Sequence, residues 1–595
     1  MALILDVECY KDYFLICFLD RQTGKVASFE MYDGKPLSVS KVSNLMRTNL
    51  TISFNGNGYD LPIIAAALEG RDCADLKRIS DEIITGSKPS WHVCRVEGFD
   101  VPQAWDHIDI IDVVPGRASL KVYAGRLGYP KLQDLPIAHD ANIVPDQREV
   151  LRKYCVNDLR VTDALYCAVE KQIALRVEMS KEYGVDLRSK SDAQIAEAVL
   201  RSEVSAVTEK TLRPTKYPDD ATFRYRDPGI ISFKNPTLRG ILKNLKDHRF
   251  EVGGNGSIVM PQWLKDTRIK IGRSEYQMGV GGLHSCEKGQ SVYAGSGYLL
   301  ADFDVASYYP NIILQQGLSP DNMGDVFTHV YQSIVDRRIR AKRAGDKVTA
   351  DTLKIVVNGS FGKLGSKYSA LYAPNLLIQT TITGQLALLM LIERLEAAGA
   401  SVVSANTDGV VALFPKAAEG SVEAAAWSWE LDTSYELERS DYRSLHSRDV
   451  NNYIAVKPDG STKRKGAFAQ AGLMKNPQFE IVSDAVAAHL AGQADYRDVI
   501  RSCRDLRKLV MVRKVTGGAT WRDQHLGKAV RFYYSSEVAP DETINYAKNS
   551  NKVPQSDGAR PCLDLYETFP NDVDFERYVG MARMVFKQLG VTLDA

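Results

Sequence analysis

The sequence is poor in the features that would place it quickly. Its nine cysteines include no C-x-x-C pair, so neither a zinc ribbon nor a disulfide framework is indicated, and they read as core thiols in a reducing compartment. Net charge is nearly absent: 75 Lys and Arg against 74 Asp and Glu leave +1. Composition therefore names no partner, because a basic groove can be balanced by carboxylates elsewhere. No uninterrupted apolar run approaches the roughly 18 residues of a membrane span. The apolar start MALILDVECYKDYFLICFLD is broken by Asp6 and Glu8 with no basic stretch ahead of it, so it reads as a strand, not an export signal. There is no internal repeat and no low-complexity tail. What remains is a 595-residue chain, 44% hydrophobic and 25% charged, with the length of two to four ordinary soluble domains working in a cytoplasm.

Residues 1 to about 170 alternate short β-type runs (LILDV, FLICFL, LTISFN) with helical stretches such as 146–175, which predicts an α/β unit. From about 205 to 275 prolines and glycines become frequent, and RFEVGGNGSIVM alternates as hairpins do. Then come the strand YLLADFDV, a basic helical stretch at 327–363, a long apolar helix near 377–398 and the hairpin pattern SVVSANTDGVVALF. The β-type run of YLLADFDV ends at Asp304, with Pro310 expected to stop the strand.

Taken singly, the two central aspartates are bland: Asp304 at a strand end reads as a turn former or cap, and Asp408 in SANTDGVV reads as a hairpin turn. Their company changes this. Between them KIVVNGSFG sets Lys354, Asn358 and Phe361 at i, i+4 and i+7 on one helical face. Here the sequence resembles the B-family DNA polymerases, whose motif A runs D-x-x-S-L-Y-P, motif B K-x-x-x-N-S-x-Y-G and motif C D-T-D-S. The resemblance implies two divalent ions, Mg²⁺ or Mn²⁺, held by Asp304 and Asp408 with the Val305 carbonyl, for phosphoryl transfer from a dNTP to a primer 3′-hydroxyl. It implies Ser307, Tyr309, Lys354, Asn358 and Phe361 as nucleotide-binding residues, Tyr309 excluding a 2′-hydroxyl. Arg338 and Lys342, at i, i+4 in DRRIRAKR, resemble the family's second triphosphate-binding pair, although a solvated basic face is an equal reading. Among the departures from the pattern are Asn406 for the first Asp of motif C, and Gly359 for Ser and Phe361 for Tyr in motif B. Asn406 is expected to alter the surroundings of the site without abolishing it.

At the N-terminus, Asp6 and Glu8 project from one face of a predicted strand, where two carboxylates repel unless a cation or proton separates them. FNGNGYDLPII adds Asn55, Tyr59 and Asp60, and REVLRKYCVNDL adds Tyr154 and Asp158 at i, i+4. Together these resemble the three motifs of a DEDD-type 3′→5′ exonuclease with Y-x-x-x-D as the third. The resemblance implies that Asp6, Glu8, Asp60 and Asp158 hold two metal ions, that Tyr154 orients the attacking water, and that Asn55 and Tyr59 hold the frayed primer end. Lys121 reads as a surface lysine ahead of a basic residue near the scissile phosphate.

For DNA contact the resemblance points to the glycine pair Gly281 and Gly282 on the template side, and to Tyr453, with Asn451 where the family's K-x-Y element has Lys. Lys463 and Lys465 in KRKGAF could restore that charge. It implies a ribonuclease H-like exonuclease domain followed by a right-hand polymerase, in an α/β and α+β multidomain chain. The expected parts are 1–175 exonuclease, 176–295 connecting and palm-associated, 296–320 palm, 321–363 fingers, 364–430 palm, and 431–595 thumb and C-terminal region. Asp304 to Lys354 and Phe361 to Asp408 are each separated by only about 50 residues, so the two large insertions of protein-primed relatives are absent and an ordinary primer is expected. The size suggests a monomeric phage protein in a bacterial cytoplasm, working on primer–template DNA with a processivity factor, primase or helicase. The alternatives are a primer-independent or repair polymerase of a mobile element, or a nuclease with a DNA-binding polymerase-like half.

Overall fold

The computed structural model describes residues 2–218 and 220–593. The N-terminal unit is built on a five-stranded mixed sheet in the order Val26–Tyr32, Tyr13–Asp20, β1 (Ala2–Cys9), Leu50–Ser53, His107–Asp109. β1 lies in the middle, antiparallel to one neighbour and parallel to the other. Its alternation buries Leu5 and Val7 and turns Asp6 and Glu8 to the opposite, partly open face. Helix α2 (Pro145–Ala168) packs over that face, while α1 (Asp60–Leu68) packs with Leu5 and Val7 on the other and brings Asp60 to the strand at its first residue.

The middle of the chain pairs an antiparallel sheet with a helical layer. Helix α3 (Asp192–Thr208) leads to a seven-stranded sheet containing β2 (Tyr298–Val305). Helices α4 (Tyr308–Gln315), α5 (Asp325–Ala344), α6 (Lys347–Lys363) and α7 (Pro374–Ala397) follow, then the hairpin β3 (Ser401–Asn406) and β4 (Gly409–Pro415). The sheet order is Leu437–Tyr442, β2, β4, β3, Leu283–Ser285, Ser274–Met278, Ile269–Ile271. It takes strands from 269–285 and 437–442 as well as from 298–305 and 401–415. α3 packs with α5 and α6 in one apolar cluster running from Met179 to Leu376, so the start of the 176–295 segment belongs to that helical layer. Such long-range pairing leaves no mark on local periodicity.

Pro310 does not end a strand. β2 stops at Val305, and Pro310 is the third residue of α4, in the first turn, where a missing N–H costs no helical hydrogen bond. α7 is the long apolar helix expected near 377–398; it is long and apolar enough to cross a membrane, yet 89% of its most apolar window is buried inside the protein. Within it, Gln385 exchanges hydrogen bonds with the backbone of Gly279, both 2.9 Å. Of the nine cysteines, six are buried core thiols, while Cys167 and Cys286 are exposed and Cys503 intermediate.

The C-terminal region has its own core, from Ile454 to Leu589, around the long hairpin Met511–Trp521 and Gln524–Tyr534. Arg531 of this hairpin is fully buried and donates to the carbonyls of Tyr129 and Pro130 in the N-terminal unit, each at 2.8 Å, and to those of Cys562 and Leu563.

One departure in KIVVNGSFG has a packing reason. A Cβ on Gly359 would stand 2.8 Å from the Asp192 carbonyl oxygen and 2.9 Å from the Ala196 Cβ of α3. Gly359→Ser is therefore expected to destabilise the fold by about 1–3 kcal/mol, the usual range for overpacking, measured as a shift of the denaturant midpoint with unchanged slope.

Candidate active sites

β2 and β4 run antiparallel with Asp304 opposite Gly409, and the two-residue turn Thr407–Asp408 joins β3 to β4. Thr407 takes the left-handed conformation (φ 56°), which tightens the turn. The Val305 N–H donates to the Asp408 carbonyl at 2.7 Å, bringing both aspartates to one end of the sheet. Gly409 makes this approach sterically feasible, since a Cβ there would lie 2.8 Å from Asp304 Oδ1. A cleft of about 310 Å³ lined by both carboxylates also takes in Asp302, Asn406, Tyr453, Lys463 and Lys465.

Asp304 is pushed up to about 6, by burial first and then by the neighbouring Asp408 and Asp302 carboxylates. Asp408 is raised too, by burial against the pull of Lys465. Two carboxylates that hinder each other's ionisation in a cleft open to solvent form a hard-oxygen donor set suited to Mg²⁺ or Mn²⁺.

Asp302 is a residue that the sequence reading missed. It is buried, accepts the Tyr442 hydroxyl at 2.6 Å and pairs with Lys463 at 3.0 Å. Lys463, expected as a free phosphate contact, is thus tied to a carboxylate, whereas Lys465 is exposed beside the aspartates. The alternation of YLLADFDV could have revealed Asp302, because it shares the face of Asp304 two residues on. Asn406 donates to the Val450 carbonyl (3.1 Å) and to Asn451 Oδ1 (3.2 Å). The two positions at which the expected charged residues are replaced by asparagine therefore touch each other.

Above the cleft, the Tyr309 ring stacks on Phe361 with centroids 4.2 Å apart, and its hydroxyl donates to the Gly281 carbonyl at 2.9 Å. Burial and Asp408 push that hydroxyl up to about 12. Gly282 presses against the Asp408 turn: it has φ 148°, and a Cβ there would lie 3.0 Å from the Thr407 Cα. Lys354 and Asn358 are exposed on the same face of α6 as Phe361. Arg338 of α5 donates to Ser307 Oγ at 3.3 Å, while Lys342, one turn on, is exposed. Tyr309 of α4 thus joins Phe361 of α6 to the 281–282 turn, which presses on the turn carrying Asp408.

In the N-terminal unit, Asp6 and Glu8 of β1, Asp60 at the start of α1 and Asp158 of α2 meet. The Val7 N–H donates to Asp60 Oδ1 at 3.2 Å. Burial and mutual repulsion raise Asp6 and Glu8 well above the ordinary carboxylate range, and Asp60 is pushed up to about 7. Asp158 is raised less, because Lys121 opposes burial. Lys121 is no free surface lysine: its ammonium clamps both Asp158 oxygens and sits 4.3 Å from the centre of the Tyr154 ring. Tyr154 is buried, with its hydroxyl pKa raised by burial and by Asp158. Cys155, also unread in the sequence, donates its thiol to Asp6 Oδ2 at 3.5 Å.

The turn before Asp60 is shaped by Asp109, whose carboxylate accepts the N–H groups of Asn55 (2.8 Å) and Asn57 (3.0 Å). Asn55 is exposed with φ 73°. Tyr59, expected as a stacking residue, is half-buried against the apolar cluster around Leu61, with its hydroxyl bonded to Ser80 at 2.8 Å. Packing holds it in place, and only part of its surface remains available.

No family model matches the chain. DNA polymerase 1 of Sulfolobus acidocaldarius is 22% identical over 268 residues, covering 41% of this chain and 29% of that protein. The chain thus matches under a third of that relative's length. The family B DNA polymerase of the archaeon Pyrobaculum calidifontis aligns in structure with a TM-score of 0.42 and 14% identity, over 100% of this chain and 78% of that one.

Proposed function

We propose that this chain is a template-directed DNA polymerase of the B-family type that extends a primer 3′ end with dNTPs at Asp304 and Asp408, and proofreads with a 3′→5′ exonuclease at Asp6, Glu8, Asp60 and Asp158. The observation that carries the reading is that Asp304 and Asp408 line one cleft, while the stacked Tyr309 and Phe361 are tied to the 281–282 turn that presses on the turn carrying Asp408. Similarity to a curated DNA polymerase supports it.

Two divalent ions, held by Asp304, Asp408 and the Val305 carbonyl, would lower the pKa of the primer hydroxyl and neutralise the triphosphate. Lys354 and Arg338 would hold the triphosphate, Arg338 already oriented by Ser307, with Lys342 adding charge at the rim. The stacked Tyr309 and Phe361 would pack under the sugar of the incoming nucleotide, leaving no room for a 2′-hydroxyl, while Asn358 lines its base. Gly281 and Gly282 would let the template backbone approach; Tyr453 and Lys465 would meet the primer, with Lys463 held by Asp302.

In the N-terminal site the four carboxylates would hold two further ions, Tyr154 would orient the water, and Lys121 would neutralise Asp158 beside it. Asn55 and the open side of Tyr59 would hold the frayed 3′ end. In this reading the N-terminal unit is the ribonuclease H-like exonuclease, the central sheet the palm, α5 and α6 the fingers and the C-terminal region the thumb. The setting is phage genome replication from an ordinary primer in a bacterial cytoplasm. Wild-type protein with Mg²⁺, dNTPs and a labelled primer–template tests the reading; absence of extension overturns it.

Asn406 is assigned to the loop, not to the metal ions. Asn406→Ala is expected to slow extension by about tenfold, the cost of about one or two hydrogen bonds. A loss as complete as that of Asp408→Ala would make Asn406 a direct participant.

A further inference from the structure

At the far end of α4 from Tyr309 lies a cleft of about 900 Å³ that none of the roles above uses. Its walls are the 222–228 segment, the end of α4 at Gln315 and Gln316, the first turn of α7 at Asn375, and Ser434. Arg224 and Arg226 are both exposed at this cleft, and among the described residues neither makes an ion pair. The other charges there are occupied: Lys246 pairs with Asp227 at 3.2 Å, and Asp321 accepts the Tyr217 hydroxyl at 3.0 Å.

Two further features make the cleft a place for an anion with hydrogen-bonding groups. The first turn of α7 borders the cleft without a side-chain cap, because its N-cap is Ala373, so the helix dipole favours negative charge there. In the wall, the Gln316 Nε2 donor and the Asn375 Oδ1 acceptor are buried without partners among the described residues, an arrangement that costs free energy unless a ligand or water answers it. The Phe223 ring, edge-on to Tyr217 at 5.4 Å, adds an aromatic surface beside the arginines.

We propose that this cleft is a nucleotide-phosphate site separate from the two carboxylate centres, with Arg224 and Arg226 holding phosphate oxygens beside the Phe223 ring. Guanidinium pairs suit phosphate geometry. The ligand chemistry has two sources, the phosphodiesters of an unpaired template strand and the phosphates of a free nucleotide. The site stands on its own geometry and does not require either carboxylate centre to be active.

The test compares wild type with the Arg224→Ala/Arg226→Ala double variant as intact chains with matching melting temperatures. Binding is measured to a blunt duplex, to the same duplex with a long 5′ single-stranded overhang, and to dTTP alone. If the template strand is the ligand, the overhang substrate weakens by about tenfold and its salt slope falls by about 1.4, two single-strand contacts of about 0.7 each. Blunt-duplex affinity then stays unchanged. If a free nucleotide is the ligand, dTTP binding loses one site per chain instead. The Arg224→Lys/Arg226→Lys variant should retain part of the affinity, since charge survives without the bidentate geometry. Unchanged overhang and dTTP binding in the alanine variant overturns the proposal, whether or not the chain extends primers.

Discussion

Replacing Asp304 by alanine is expected to cut primer extension by at least about four orders of magnitude, roughly 5 kcal/mol of transition-state stabilisation, while 3′ degradation continues. The size follows from how few donors the cleft offers. Asp304 and Asp408 are the paired carboxylates of the cleft, and Asp302 is already engaged by Tyr442 and Lys463, so no neighbour replaces a lost oxygen donor. Asp304→Ala also removes one of the repelling charges that hold up its partners, so the metal-free variant should melt no lower than wild type. Gel analysis of a labelled primer, with and without dNTPs, separates the two activities. Loss of degradation together with extension would place both reactions at one centre and refute the division.

The second large effect is expected at Asp60. Asp60→Asn should abolish 3′ degradation in Mg²⁺ and at the same time raise the melting temperature of the metal-free protein at pH 8. In the fold this carboxyl is pushed up to about 7 from an ordinary value of 3.8, by burial and then by Asp109. Below 3.8 it is protonated in both folded and unfolded chains, and its contribution to stability is fully present. That contribution is lost as pH rises through 7, where a buried charge must be carried. Asparagine keeps an oxygen for the Val7 N–H and carries no charge. The gain should therefore be visible at pH 8 and vanish near pH 4. Adding Mg²⁺ should raise the melting temperature of wild type more than that of the variant, because the ion relieves the same repulsion. An Asp60→Asn protein that melts lower at pH 8 would mean that the carboxylate is stabilising and the account of its raised pKa is wrong.

What the sequence made visible was local. Alternation in ALILDVEC put Asp6 and Glu8 on one face of β1, and i, i+4 spacing put Tyr154 and Asp158 on one face of α2, because a strand and a helix each fix side-chain direction by their own period. The same rule lined up Lys354, Asn358 and Phe361 on α6. What escaped was whatever depended on a partner far along the chain. Asp302 lay in plain view two residues before Asp304, but its engagement rests on Lys463, 161 positions away. Lys121 looked like one more surface lysine because nothing near it in sequence announces Asp158. Asn406 and Asn451 looked like two separate substitutions until the fold put them in hydrogen-bonding range. Pro310 misled for a different reason: proline ends strands and also begins helices, and only the φ/ψ path after Val305 decides between them.

The buried guanidinium of Arg531 bears on how the two centres would cooperate. It holds backbone carbonyls of the N-terminal unit and of its own region together, with no carboxylate partner among the described residues. A charge so enclosed, satisfied only by fixed peptide oxygens, resists separation, since opening the joint would strand the carbonyls and the cation alike. The N-terminal unit and the C-terminal region are therefore held as one frame. A mispaired terminus would have to be handed over by melting and swinging several nucleotides across a set span, so the rate of editing would be governed by how easily the duplex frays and not by a swivelling of the protein.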